Sequence, residues 1–168
     1  MVLLTLFASA LAAPPDAATA AGMSGTWRLA EGRPVVQARV TDAVEGMLAP
    51  LNVIVRSIAR PRLAAAATFC DGYQVTVTTA AFTLACDDRP PITLGFDQPP
   101  FVGTTPDGGA YEATATSRDG AVFLTFAASA GVQGLRYTLA GGALEVEKSL
   151  AVQQLGARLA WNMRYTRQ

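Results

Sequence analysis

The sequence predicts a mainly β protein: an up-and-down antiparallel barrel of about ten strands, with a two-helix insertion after the first strand. Three observations lead there. Short runs beyond Pro61 alternate apolar and polar residues, the period-two signature of half-buried strands. Turn signals separate these runs about every 8–12 residues: Asp71-Gly72, Asp107-Gly108-Gly109, Asp119-Gly120, Gly131 and Gly141-Gly142. Ahead of them, apolar residues recur at the three- and four-residue steps of helices.

Each element follows from its local pattern. Thr26-Trp27-Arg28-Leu29-Ala30 makes a short first strand. Pro34 suits the first turn of a helix, on which Val36, Val40, Val44 and Met47/Leu48 form one stripe. Gly46 weakens the end of that helix. Pro50 permits a second helix with Leu51, Ile54, Val55 and Ile58 on one face, ended by Pro61. Strands are then expected at residues 63–69, 73–79, 81–86, 92–96, 110–117, 121–127, 132–140, 143–151 and 158–166. Links this short favour full closure, which leaves no exposed sheet edge. An outer-membrane barrel fits less well, because Pro90, Pro91, Pro99 and Pro100 cluster mid-chain and the strands are short.

A chain of 168 residues has room for one domain, at about 100–200 residues per domain. Half of it is apolar and 15% is charged, which excludes the disordered class. Thirteen basic and thirteen acidic residues cancel, with no basic stripe, so a nucleic-acid partner is not expected. Residues 2–12 carry no charge and offer Ala-x-Ala spacing at Ala8/Ala10 and Ala10/Ala12. That run is shorter than the ~20 apolar residues of a membrane-spanning helix. The expected organisation is a signal peptide at 1–12, a flexible leader at 13–21 and one barrel domain at 22–168. The location is periplasmic or secreted, with no integral membrane span. Cys70 and Cys86 suit a disulfide in an oxidising compartment and two buried thiols otherwise.

Catalytic chemistries find little support. The chain contains no histidine, so neither a Ser-His-Asp nor a Cys-His system can be assembled. A metal site would lack a histidine and a third thiolate. Asp71, Asp87, Asp88, Asp107 and Asp119 sit where carboxylates cap turns. No glycine pair lies between a strand and a helix, so no phosphate cradle and no cofactor are expected.

Gly25-Thr26-Trp27-Arg28-Leu29 resembles the opening Gly-Thr-Trp-Lys-Leu strand of the fatty-acid-binding proteins, within the calycin superfamily. Two helices follow at once, as in that family. The segment from Phe101 to Gly108 resembles the family's Phe-x-x-x-Thr-x-Asp-Asp/Gly spacing. Gly142-Ala143-Leu144 and the terminal Arg164-Tyr165-Thr166-Arg167 are also placed similarly. Lipocalins share the Gly-x-Trp start but normally have eight strands and a late helix. The resemblance implies a ten-stranded barrel with a helical lid over an apolar lumen. It also implies that Trp27 plugs the closed end beneath an arginine of the last strand, Arg167 or else Arg164. The family's Arg-x-Tyr carboxylate clamp is not reproduced: aligning Tyr165 places Asn162 or Met163 near where its arginine belongs.

Candidate lining residues are Phe82, Phe96, Phe123, Tyr137, Trp161, Met163 and Tyr165. Arg136 is a candidate anchor for an acidic head group if it faces the lumen. Alternation that turns Leu135, Tyr137 and Leu139 inward would leave it in water. The resulting expectation is a non-enzymatic, exported binding protein for a small hydrophobic or amphipathic ligand of lipid or fatty-acid type. Two other readings are a non-catalytic domain with a filled core that docks an envelope protein partner through its helices, and a lumen isomerase or cyclase using Tyr137 or Tyr165.

Overall fold

The computed structural model describes residues 14–105 and 108–168. The signal peptide expected at 1–12 lies outside the described residues, as do Pro106 and Asp107 of the Phe101–Gly108 segment. Three helices and ten strands are present: α1 (Ala17–Met23), β1 (Gly25–Leu29), α2 (Arg33–Leu48), α3 (Val53–Ala66), β2 (Gly72–Val77), β3 (Ala81–Cys86), β4 (Ile92–Gly95), β5 (Phe101–Thr104), β6 (Ala110–Arg118), β7 (Ala121–Ala128), β8 (Gly131–Ala140), β9 (Ala143–Val152) and β10 (Ala157–Arg167). They form one antiparallel sheet in the order β4-β3-β2-β1-β10-β9-β8-β7-β6-β5. First and last strands pair, Trp27 opposite Arg167 and Leu29 opposite Tyr165, so the sheet curls into a nearly closed barrel. β4 and β5 end the sheet without pairing to each other, and β4 lies against β6 instead.

The mainly β class, the count of ten and the two helices after the first strand agree with the sequence. Individual elements differ. Residues 63–69 are not a strand: α3 runs through Pro61 to Ala66. Proline removes one backbone donor, whereas Ala64, Ala65 and Ala66 have the highest helix propensity and carry the helix on. β5 supplies the missing strand. It is four residues long and owes its existence to pairing with β6. At Gly103 a Cβ would lie 2.3 Å from the ring of Tyr111, which crosses it, so a side chain there would displace that ring.

The leader expected at 13–21 also changes. Ala17–Met23 is a helix capped by Asp16, whose carboxylate accepts from the Thr19 N–H at 2.8 Å, and Met23 is fully buried. The described fold therefore begins several residues before Gly22.

α2 buries Val36, Val40, Val44, Met47 and Leu48, the stripe that the sequence shows. The second helix does not repeat this. Asn52 caps it through the Val55 N–H, and Ile54 and Ile58 point to solvent rather than forming its buried face. Only Leu63 of α3 is fully buried. An ion pair from Arg60 to Glu45 joins the two helices.

Cys70 and Cys86 form a disulfide with Cα atoms 5.6 Å apart. The reason is topological. With no strand at 63–69, Cys70 precedes β2, and β3, which ends at Cys86, is the direct neighbour of β2. Asp87 reinforces this corner by accepting from the N–H groups of Asp71 and Gly72, each at 2.9 Å. A bridge closing a loop of this size contributes about 3 kcal/mol. Replacing both cysteines by serine is expected to lower the unfolding free energy by about that amount, read as a lower urea midpoint with a somewhat steeper slope, because the unfolded chain without the crosslink exposes more surface.

Candidate functional site: the barrel interior and its upper mouth

Pleating sends alternate residues inward. Along β10 these are Leu159, Trp161, Met163 and Tyr165, all buried. On β9 they are Leu144, Val146, Lys148, Leu150 and Val152, and on β8 Gln133, Leu135 and Tyr137, as the register between the strands requires. β7 adds Val122, Leu124 and Phe126.

The lower end is closed. The indole N–H of Trp27 donates to the Met23 carbonyl at 2.9 Å, fixing the ring against α1. The Arg167 guanidinium lies 4.7 Å above the ring centroid and donates to the carbonyls of Gly22 and Ser24. Arg164, the alternative partner, projects from the outer face and borders a charged surface depression with Glu145 and Glu147.

Above Trp27 the barrel is filled by aromatic rings. Tyr73 stands 5.9 Å from Tyr137 and 4.9 Å from Tyr165, and Phe82 stands 5.1 Å from Tyr137 (ring centroids). Tyr165 donates its hydroxyl proton to the Cys70 carbonyl at 2.9 Å. Burial raises all three phenols, Tyr73 to about 12, because the phenolate would lose its water. These phenols stay neutral at physiological pH.

The upper end is open. A cavity of about 680 Å³ lies between α3 and the ends of β6 to β9. Its apolar lining includes Leu63, Tyr111, Phe126, Ala128, Leu150 and Val152. Arg62 and Arg89 stand on its border, and among the described residues no carboxylate lines it. A smaller recess of about 190 Å³ continues beneath α3, between Ile58, Leu63 and Leu155.

Of the eight ligand-contact candidates, Phe82, Phe96, Tyr137, Trp161, Met163 and Tyr165 are buried. Arg136 and Phe123 are not interior residues. They face each other across the β7–β8 register on the outer surface, with the guanidinium 5.9 Å from the Phe123 ring and 3.9 Å from the Glu147 carboxylate. The physical reason is the pleat: Tyr137 and Leu124 face inward, so their neighbours in sequence must face out. Among the candidates, the six buried residues fill the lower and middle barrel or its wall, while the 680 Å³ cavity is lined by others.

The sequence reading missed Lys148. Its side chain is buried and donates to the Thr68 carbonyl at 2.7 Å, with the ammonium 5.7 Å from the Trp161 ring centroid. Trp161 is its direct partner in the β9–β10 register, and the buried Trp161 indole N–H has no hydrogen-bond partner. The signal was present: Leu144, Val146, Leu150 and Val152 alternate, and Lys148 occupies the same phase. Cys70, Cys86 and Asp87 come together at one corner, but the sulfurs are bonded to each other and so are not thiolate ligands.

Burial pushes the Lys148 ammonium down to about 8, and the nearby Arg89 charge adds to this. The unfolded chain keeps its proton up to the ordinary 10.5, so between about pH 8 and 10 the unfolded state binds more protons and stability rises with pH. Below pH 8 both states are protonated and the full burial cost is present. Lys148→Met is expected to be more stable than the wild type at pH 7 by roughly 2–3 kcal/mol, and to lose the rise between pH 8 and 10. Urea unfolding at pH 7 and pH 9.5 measures both effects.

No protein-family model and no curated protein matches the sequence. Solved structures match through shape. The structure titled "REP1-NXSQ fatty acid transporter" superposes with a TM-score of 0.53 at 16% identity, covering 89% of this chain and 98% of that one. A Schistosoma mansoni fatty acid binding protein in complex with arachidonic acid gives 0.53 at 14%, covering 89% and 98%. A secretory abundant heat soluble protein from Ramazzottius varieornatus gives 0.56 at 9%, covering 88% and 96%. With its ten-stranded, nearly closed barrel and the two helices inserted after the first strand, the chain shares the fold of these solved structures.

Proposed function

We propose that this chain is an exported carrier that holds a small hydrophobic or amphipathic ligand in the cavity beneath α3. The cavity carries this reading: about 680 Å³, bordered by α3 and lined by the apolar side chains of Leu63, Phe126, Leu150 and Val152. Burying the apolar part of a ligand there contributes about 25 cal/mol per Å² before ordering costs. The two arginines at its border favour neutral or anionic ligands over cationic ones. Two proteins of the same fold are titled as a fatty acid transporter and as a complex with arachidonic acid, which supports a lipid-like ligand here.

Export rests on the uncharged residues 2–12 with their Ala-x-Ala spacing and on the disulfide, which persists in oxidising compartments. A second reading draws on Val53, Ile54 and Ile58, exposed together on α3. Such a patch suits docking of an envelope protein partner.

Delipidated protein is expected to bind a fluorescent fatty acid and to release it to unlabelled lipid. Ala128→Trp, which fills the cavity, is expected to weaken that binding tenfold or more with little change in the urea midpoint. A delipidated sample that takes up no apolar probe removes the carrier reading. In a bacterial host with a periplasm, the mature form is expected to begin just after Ala10 or Ala12, read by N-terminal sequencing of the periplasmic fraction.

A further inference from the structure

Lys148 is the only lysine in the chain; every other basic side chain is arginine. Twelve side-chain cations that cannot lose their charge thus lie elsewhere, and the single basic side chain that can is enclosed by the barrel. Among the described residues no carboxylate pairs with it. Its surroundings are a backbone carbonyl, an indole face and the inward side chains of Leu135 and Leu150, and Leu150 also lines the cavity. Desolvation and a neighbouring cation are the two conditions that activate a lysine amine as a nucleophile, and Lys148 meets both.

We propose that Lys148 is a covalent capture site for an aldehyde with an apolar chain, which it holds as a reversible imine inside the barrel. This rests on the carrier reading only in that the cavity beneath α3 receives the chain. The neutral amine adds to the carbonyl carbon, the carbon–oxygen π bond opens, and a carbinolamine forms. Both amine protons then leave with the former carbonyl oxygen as water, giving R–CH=N–Lys148. Atoms and electrons balance without an oxidant or reductant.

Two observations favour an aldehyde over an acid. The neutral imine abolishes the buried charge instead of adding a second one, which removes the desolvation cost of the ammonium. With the ammonium lowered to about 8, roughly 10% of the amine is neutral at pH 7, about 300-fold more than for an ordinary lysine at 10.5.

The test treats the full-length folded protein with decanal and sodium cyanoborohydride at pH 7, followed by intact mass and peptide mapping. The expected product carries the mass of decanal less one oxygen on the peptide containing Lys148, formed at least about tenfold faster than on the N-terminal amine. Lys148→Arg, which keeps a cation, is expected to abolish that product while still binding a fluorescent fatty acid. Trapping at the N-terminus alone, or equally fast at both amines, overturns the proposal. So does decanoate binding that depends on Lys148 with no trapped decanal, which would assign the amine to an acid. If the fluorescent probe binds and nothing is trapped at Lys148, the capture site fails and the carrier reading stands. If Lys148 is trapped with no cavity binding of the probe, the reverse holds.

Discussion

In a closed antiparallel sheet every strand residue faces either the lumen or water, and a slip of one residue exchanges the two sets. Pairing of β1 with β10 fixes that choice for the whole barrel, because it locks Trp27 opposite Arg167 and Leu29 opposite Tyr165. From this register the rest follows strand by strand. Tyr165 faces inward and meets the Cys70 carbonyl, Met163 meets Val146, and Trp161 meets Lys148. The same parity sends Arg136, Phe123, Glu147 and Arg164 to the outer surface. A lysine enters the interior of this barrel because the phase of β9 carries it there, and the strand's apolar residues leave no other register that buries them.

The two ends of the barrel are built on different chemistry. Below, an indole, a guanidinium and three backbone carbonyls satisfy one another, and α1 seals the opening. Above, the ends of β6 to β9 present small or apolar side chains, and α3 spans the gap with Leu63 as its one fully buried residue. The segment between α3 and β2 joins the two regimes. It is held by the disulfide, by Tyr165 on Cys70 and by Lys148 on Thr68. Lys148 therefore also tethers the segment that links α3 to β2.

Much of this was legible in the sequence, and the failures have physical causes. Gly25-Thr26-Trp27, the α2 stripe and the alternating strands from Tyr73 onward are local patterns, and tertiary structure left them in place. Residues 63–69 alternate weakly and follow a proline, yet three alanines extend the helix past it. β5 has no period of its own and depends on a partner elsewhere in the chain. Arg136 was weighed on both faces, and its neighbours' parity places it outside. Lys148 was overlooked because charge in a strand suggests solvent, whereas its phase among Leu144, Val146, Leu150 and Val152 was the stronger signal.

The meeting of β1 and β10 also has a kinetic side. The two strands stand at opposite ends of the chain, so the contact that closes the barrel carries nearly the largest loop-closure entropy available to the molecule. Every other neighbouring pair in the sheet joins consecutive strands, and all of these except β1 with β2, which α2 and α3 separate, form locally. Hairpins therefore assemble early, and closure waits until Tyr165, Thr166 and Arg167 are free to pair. Until β10 has been synthesised, β1 has no partner on that side, so the barrel stays open.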